Sequence, residues 1–164
     1  MMYGWTLSSW MIFVATFVVM EFVAWGLHKY VMHGFLWWLH RDHHDPAHTA
    51  TFQKNDAFAF FFFAPSFLSI LFGAIYLNPD LSAFGFGIMA YGAAYFTVHE
   101  VIIHRRLTWF RSRGFYMNAL VAAHKKHHAK HGKEDGAYFG MLMIPPEEIV
   151  RAFRRARGRT RSTT

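Results

Sequence analysis

The sequence predicts an all-α integral membrane protein, and three observations predict it. Hydrophobic residues make up 54% of the 164 and charged residues 16%, too apolar a balance for an ordinary soluble domain of this size. Three runs of about twenty residues are nearly free of charge, long enough to cross a hydrocarbon core of about 30 Å. Histidines in two repeated spacings follow the first and the third of those runs. The length suits a single domain. There is no cysteine, which excludes disulfides, iron–sulfur clusters and thiolate metal sites; any metal chemistry must rest on imidazole, with carboxylate as the only other anionic ligand type.

The first span covers about 5–27 and contains a single charge, Glu21. No Lys or Arg precedes it and no small-residue cleavage site follows, so it is expected to be a retained helix. A carboxylate inside a membrane span is costly unless it faces a partner or serves a function. Glu21 lies seven residues before His28, hence on nearly the same helical face and about 10 Å deeper. The second span, about 57–77, is rich in Phe and reads chiefly as packing and lipid-facing surface. Pro65 is expected to kink it, with Ser66 satisfying the freed carbonyl. Asn78-Pro79-Asp80 is a tight turn. The third span, about 81–98, carries Gly85, Gly87, Gly92 and Ala93, small residues that let membrane helices approach closely, and runs directly into His99. Tyr91 and Tyr95 share the face of His99 and read as buried packing.

Between and beyond the spans the segments are short. Residues 35–39 (F-L-W-W-L) have the aromatic character of a segment at the headgroup boundary. Phe115 to Ala123 form the first turns of a helix bearing His124. Pro145-Pro146-Glu147-Glu148 starts another helix, which opens the basic tail of residues 147–164. That tail reads as solvated or resting on anionic lipid, and the high pI of about 9.9 is largely this face, so it does not argue for nucleic acid. All seventeen Lys and Arg fall within 28–56 or 99–164. The positive-inside rule then puts the N-terminus and the 78–80 turn outside and every histidine in the cytosol. Parity agrees: a chain that leaves at 28, crosses out and crosses back emerges on the same side at 99.

The histidines are ordered. His28-x4-His33 and His40-x2-His43-His44 come first, and His99-x4-His104 and His124-x2-His127-His128 repeat both spacings in the same order. In the second spacing, positions i, i+3 and i+4 share a helical face, so each triplet can converge, and Pro46 ends the first of these helices. Five residues of ideal helix rotate by about 140°, so the H-x4-H pairs do not share a face. Either the helix is distorted at the membrane exit or the two side chains serve different ions; the second is adopted here, because ten ligands are too many for one ion. Imidazole suits zinc, copper, iron and nickel, and a structural zinc site would close with four ligands. Ten suggest two ions with about five each. Glu21, Asp42 and Glu100 are candidates to orient imidazoles from behind. His48 and His131 stay outside the ligand set.

This order, with the flanks H-K-Y-V-M-H-G at 28–34, N-D-A at 55–57, Y-G-A-A-Y-F-T-V-H-E at 91–100 and A-H-K-K-H-H-A-K-H-G-K-E at 123–134, resembles the bacterial β-carotene hydroxylases of the fatty-acid hydroxylase/sterol desaturase superfamily. The resemblance covers residues 21 to about 146. It implies a multi-pass protein of the bacterial inner membrane whose ten histidines hold two non-haem irons on the cytosolic side. It also implies O2-dependent hydroxylation of carbon 3 of a β-ionone ring, with a carotenoid arriving from the bilayer. Electrons would come from NAD(P)H through a ferredoxin-type carrier, which seventeen basic against eight acidic residues on the cytosolic segments would attract. The nearest rival is a carotenoid ketolase or another lipid hydroxylase or desaturase of the superfamily. A protein that binds or moves metal without catalysis is the other class, although transport should place ligands on both sides of the membrane.

Overall fold

The computed structural model describes residues 4–45, 47, 52–107, 114–134 and 136–161, the last helix from residue 155 onward by its backbone alone. Among these residues every regular element is helical. Helix α1 (Leu7–Gly26) continues without a break as a π-helix, Leu27–Phe35. A short α2 (Trp37–His40) leads into a 3-10 turn, Arg41–His44. A second 3-10 segment, Lys54–Phe58, opens α3 (Ala59–Ile75). Helix α4 (Pro79–Phe96) again continues as a π-helix, Thr97–Ile103, and α5 (Phe115–His128) and α6 (Pro146–Arg161) complete the chain. The stretches Leu7–Phe35, Lys54–Ile75 and Pro79–Ile103 are each long and apolar enough to cross a membrane. The chain is a membrane protein, with three such stretches among the described residues.

Local chemistry sets the helix ends. Thr6 caps α1, its side chain accepting from the Ser9 amide, and Asn78 caps α4 by accepting from the Asp80 and Leu81 amides, with Pro79 in the first turn; such caps satisfy amides a helix start leaves open. Ser9 donates to Asp80 at 2.6 Å, tying the two capped ends together. Helix α4 is the central one, packed on α3 along one side and on α1 along another. Two of its glycines make that possible. A Cβ on Gly85 would stand 2.8 Å from the Ser66 carbonyl of α3, and one on Gly87 would stand 2.8 Å from the Phe13 carbonyl of α1, so only the absent side chain admits both neighbours. Gly92 differs from the expectation: nothing lies within 4 Å of where its Cβ would be, because it borders a groove rather than a helix contact. Ser66 differs as well. It donates to the Gly85 carbonyl across the interface at 2.9 Å instead of to a carbonyl freed by Pro65, and α3 runs on through that proline.

Met20, Ala24, Ile88 and Tyr91 form a buried cluster between α1 and α4. A second cluster joins Val98, Ala119, Leu120, Ala123 and Ile144, which docks α5 and the start of α6 under the end of the third span. Glu148, in the first turn of α6, is buried and accepts from Lys126, Tyr138 and Arg151. These contacts hold α5, and with it His124, His127 and His128, against the ends of spans one and three. Residues 35–39 are divided: Phe35 and Trp38 are exposed, while the Trp37 ring packs on His33 and His44.

Candidate metal centre

The ten patterned histidines come together in two groups. His28, His33, His40, His44 and His127 form one; His43, His99, His104, His124 and His128 form the other, and within each group one ring nitrogen from every residue lies within 4.8 Å of all the others. The groups adjoin, with the His44 and His128 rings stacked at 4.4 Å.

The assignment of His28 and His33 to different ions is overturned by this geometry, and His99 and His104 likewise share one group. Each H-x4-H pair belongs to one group, because the helix is distorted where it leaves the apolar span. A π-helix closes i→i+5 hydrogen bonds, so five residues make about one turn and the two rings lie on one face. The bond itself is present in the second pair, where the His104 amide donates to the His99 carbonyl at 2.9 Å. The triplets also behave differently from the expectation of convergence. His40 and His44, at i and i+4, enter one group while His43 turns to the other; His124 and His128 do the same, and His127 crosses over. Each triplet straddles both positions. The first is not one helix, since α2 tightens into a 3-10 turn at Arg41. Pro46 and His48 lie outside the described residues. His131 is exposed and belongs to neither group.

Hydrogen bonds fix the rings from behind. Nδ1 donates to Phe139 O from His28 (3.0 Å), to Lys133 O from His33 (3.1 Å), to Lys130 O from His44 (3.0 Å) and to Ala137 O from His127 (2.8 Å). His40 donates to Asn55 Oδ1 (2.6 Å), His43 to Gln53 Oε1 (2.8 Å) and His99 to Glu100 Oε1 (2.7 Å). An imidazole that donates from Nδ1 presents a lone pair at Nε2 when neutral, which is the ligating form. Burial favours the neutral imidazole: it pushes His43 and His127 down to about 4 and His44 and His104 down to about 3, so at neutral pH none of these four carries a proton that would compete with a cation.

The lone pairs then face one another. Nε2 of His28 lies 3.2 Å from that of His40, His33 from His127 at 3.1 Å, and His43 from His99 at 3.3 Å. All six of these rings have committed the Nδ1 hydrogen elsewhere, so no hydrogen lies between the nitrogens and the pairs repel unless a cation sits among them. Nε2 of His44 and of His128 is buried with no protein partner at all. A donor set of ten neutral nitrogens with converging lone pairs fits two metal ions. The residues suit that role, and imidazole accommodates iron among several metals.

The three acidic candidates occupy different places. Glu100 does sit behind a ring, accepting from His99 and pairing through its other oxygen with Arg106 at 2.6 Å; Arg106 pairs in turn with Asp56 at 2.8 Å. Asp42 accepts from the Lys54 amide at 2.7 Å, joining the His40–His44 turn to the next segment. Glu21 is turned to the backbone amides of residues 141–143. Tyr91 donates to Glu21 at 2.8 Å, and the Tyr95 ring stacks on His99. Sequence reasoning missed Gln53 and Asn55, although N-D-A at 55–57 was among the motif flanks and signalled that position. It also missed the four main-chain carbonyls of 130–139, which no side chain announces.

A cavity of about 510 Å³ opens between α3 and α4. Its lining is mostly apolar, with Phe58, Phe62, Phe67, Ile88 and Gly92 among it, and also includes Asn55, Asp56, Glu100 and Arg106. Part of the Phe-rich face of α3 is therefore the wall of a groove, in addition to exposed surface such as Phe60 and Phe61.

Residues 13–147 match the fatty acid hydroxylase family. Among curated proteins, the chain is 40% identical over 154 residues to a beta-carotene hydroxylase of Pantoea ananas, covering 93% of this chain and 86% of that one. It is 33% identical over 147 residues to a beta-carotene hydroxylase of Paracoccus sp. (strain PC1), covering 88% and 90%. A chloroplastic beta-carotene 3-hydroxylase of Haematococcus lacustris is 39% identical over 135 residues, 78% of this chain and 41% of that longer one. No solved structure matches. With a match that spans most of its length and a histidine centre set at the ends of its membrane helices, the chain belongs to the fatty acid hydroxylase family.

Proposed function

We propose that this chain is a non-haem di-iron β-carotene 3-hydroxylase, converting β-carotene to β-cryptoxanthin and then to zeaxanthin. The observation that carries the reading is the pair of five-histidine groups with inward lone pairs, in a chain whose similar relatives are β-carotene hydroxylases. Each group would hold one iron. Bound iron supplies the activation of O2, one oxygen atom entering a ring C–H bond and the other leaving as water, at the expense of two electrons and two protons.

The chain's own residues do the rest. The seven Nδ1 bonds hold the rings in the ligating tautomer, so little reorganisation is needed when metal binds. The groove between α3 and α4 opens among residues that face the bilayer, which suits a long hydrocarbon that never enters water. Asn55 and Glu100, the partners of His40 and His99, are among the residues that line it. Met32 and Tyr95 line the same groove, and Tyr95 stacks on His99. Apolar walls keep the reacting ring dry and limit side reactions.

The reading places the chain as a single multi-pass domain in a bacterial inner membrane, and the distribution of Lys and Arg supports an N-terminus outside and histidines at the cytosolic face. A ferredoxin-type carrier fed by NAD(P)H would meet a cytosolic surface of net positive charge. Expression in bacteria that accumulate β-carotene tests the reading: zeaxanthin is expected, canthaxanthin would make the chain a ketolase, and unchanged pigment would leave a metal-binding protein.

A further inference from the structure

Four of the five histidines of the first group rest on one stretch of chain. The carbonyls of Lys130, Lys133, Ala137 and Phe139 receive the Nδ1 bonds of His44, His33, His127 and His28. In the second group, His43 and His99 rest on side chains, Gln53 and Glu100, and among the described residues of 130–139 none receives a hydrogen bond from that group. The described residues of this strap are not helical, so no helical ladder fixes where their carbonyls point. Its aim depends on its anchors.

The main anchor lies in the first membrane span. Glu21 Oε1 accepts three consecutive amides, Met141 at 2.9 Å, Leu142 at 3.0 Å and Met143 at 2.9 Å, and Oε2 accepts from Tyr91. Both Glu21 and Met141 are buried. The fit is close on the strap side too: a Cβ on Gly140 would stand 2.6 Å from the Met143 carbonyl and 3.2 Å from Glu21 Oε1. Tyr138, in the left-handed region at φ 63°, lies between the two residues whose carbonyls hold His127 and His28. Three amides on one oxygen at membrane depth are strong evidence of a built contact, since an open amide or a lone carboxylate there is costly.

We infer that Glu21 is a positioning residue for one of the two metal positions: by holding residues 141–143 it fixes the strap that orients His28, His33, His44 and His127, and the other position does not depend on it. The inference rests on the two-ion reading above. Partners behind a ligand are worth about 10–100-fold in metal affinity, and loosening the strap disturbs four of them at once.

The test uses the full chain in detergent, loaded anaerobically with iron(II), then challenged with a chelator and analysed for iron per chain. Wild type should retain two. Glu21→Leu should retain one, and its spectroscopic signature should change from that of a spin-coupled pair to that of an isolated ion. Gly140→Ala, which crowds the same contact and leaves the carboxylate in place, should behave alike and decides the matter if Glu21→Leu does not fold. Tyr91→Phe removes only the hydroxyl and should retain two; were Glu21 simply a link between α1 and α4, Tyr91→Phe and Glu21→Leu would match, which would overturn the inference. Combining Glu21→Leu with Glu100→Leu, which removes the acceptor of His99 in the other group, should leave none, and a double variant that keeps one ion would show that both act on one position. Variants that hold two ions with wild-type release rates, or that lose both together, overturn the inference while the two-ion reading stands. A wild type that never holds more than one ion overturns that reading, and the inference with it.

Discussion

Asn55→Leu isolates one bond behind one ligand. His40 is 2% exposed and Asn55 6%, and the Nδ1–Oδ1 distance is 2.6 Å, so water cannot replace the amide. Leucine is close to asparagine in volume but offers no acceptor. The His40 Nδ1–H would be left buried and unpaired, a loss of about 1–3 kcal/mol, or between about fivefold and a hundredfold in an equilibrium constant. That range overlaps the 10–100-fold typical of partners behind a metal ligand, and the two arguments are independent. Asn55→Leu should therefore weaken one of two irons by about 10–100-fold in competition with a chelator, with helical content unchanged. Asn55→Asp keeps an acceptor, as Glu100 does for His99, and should stay near wild type. Iron affinity in Asn55→Leu within about twofold of wild type would refute the claim that these outer bonds set the ligand geometry.

Alanine at any of the ten grouped histidines, His44 for example, should abolish hydroxylation, whereas His131→Ala should keep most of it, because His131 is exposed and outside both groups; pigment analysis in carotene-accumulating cells reads both. Gly92→Leu should lower carotenoid turnover by about tenfold or more, on the scale of 1–3 kcal/mol for overfilling a packed space. Its iron content should stay at two per chain, since the new side chain enters the groove and meets no neighbour at Cβ. Reporter fusions should place the N-terminus outside and the C-terminus inside, and finding both ends on one side would require a span more or a span fewer.

Much of this fold is legible in the sequence because membrane crossing is a bulk property. Unbroken apolar runs mark α1, α3 and α4 whatever their contacts, although residues 78–80, expected as a tight turn, are the cap and first residues of α4 itself. The histidine spacings identify the ten residues that assemble. How they divide is another matter. The rule that five residues turn an ideal helix by about 140° holds only for α geometry, and the widened turns at Leu27–Phe35 and Thr97–Ile103 bring His28 to His33 and His99 to His104. Nothing in those residue types marks the change of pitch. Splitting of the triplets follows from the rings on the facing segments, which a single helical face cannot reveal. Glu21 stands out as a charge in a span, but its partners are backbone amides 120–122 residues away, and a backbone amide carries no sequence signal. The same holds for the four carbonyls that orient the first group.

Iron per chain in an active preparation tests the central claim most directly. Protein purified without oxygen, loaded with iron(II) and shown to hydroxylate β-carotene should contain two irons, one for each five-histidine group. Full activity with one iron per chain would contradict the account.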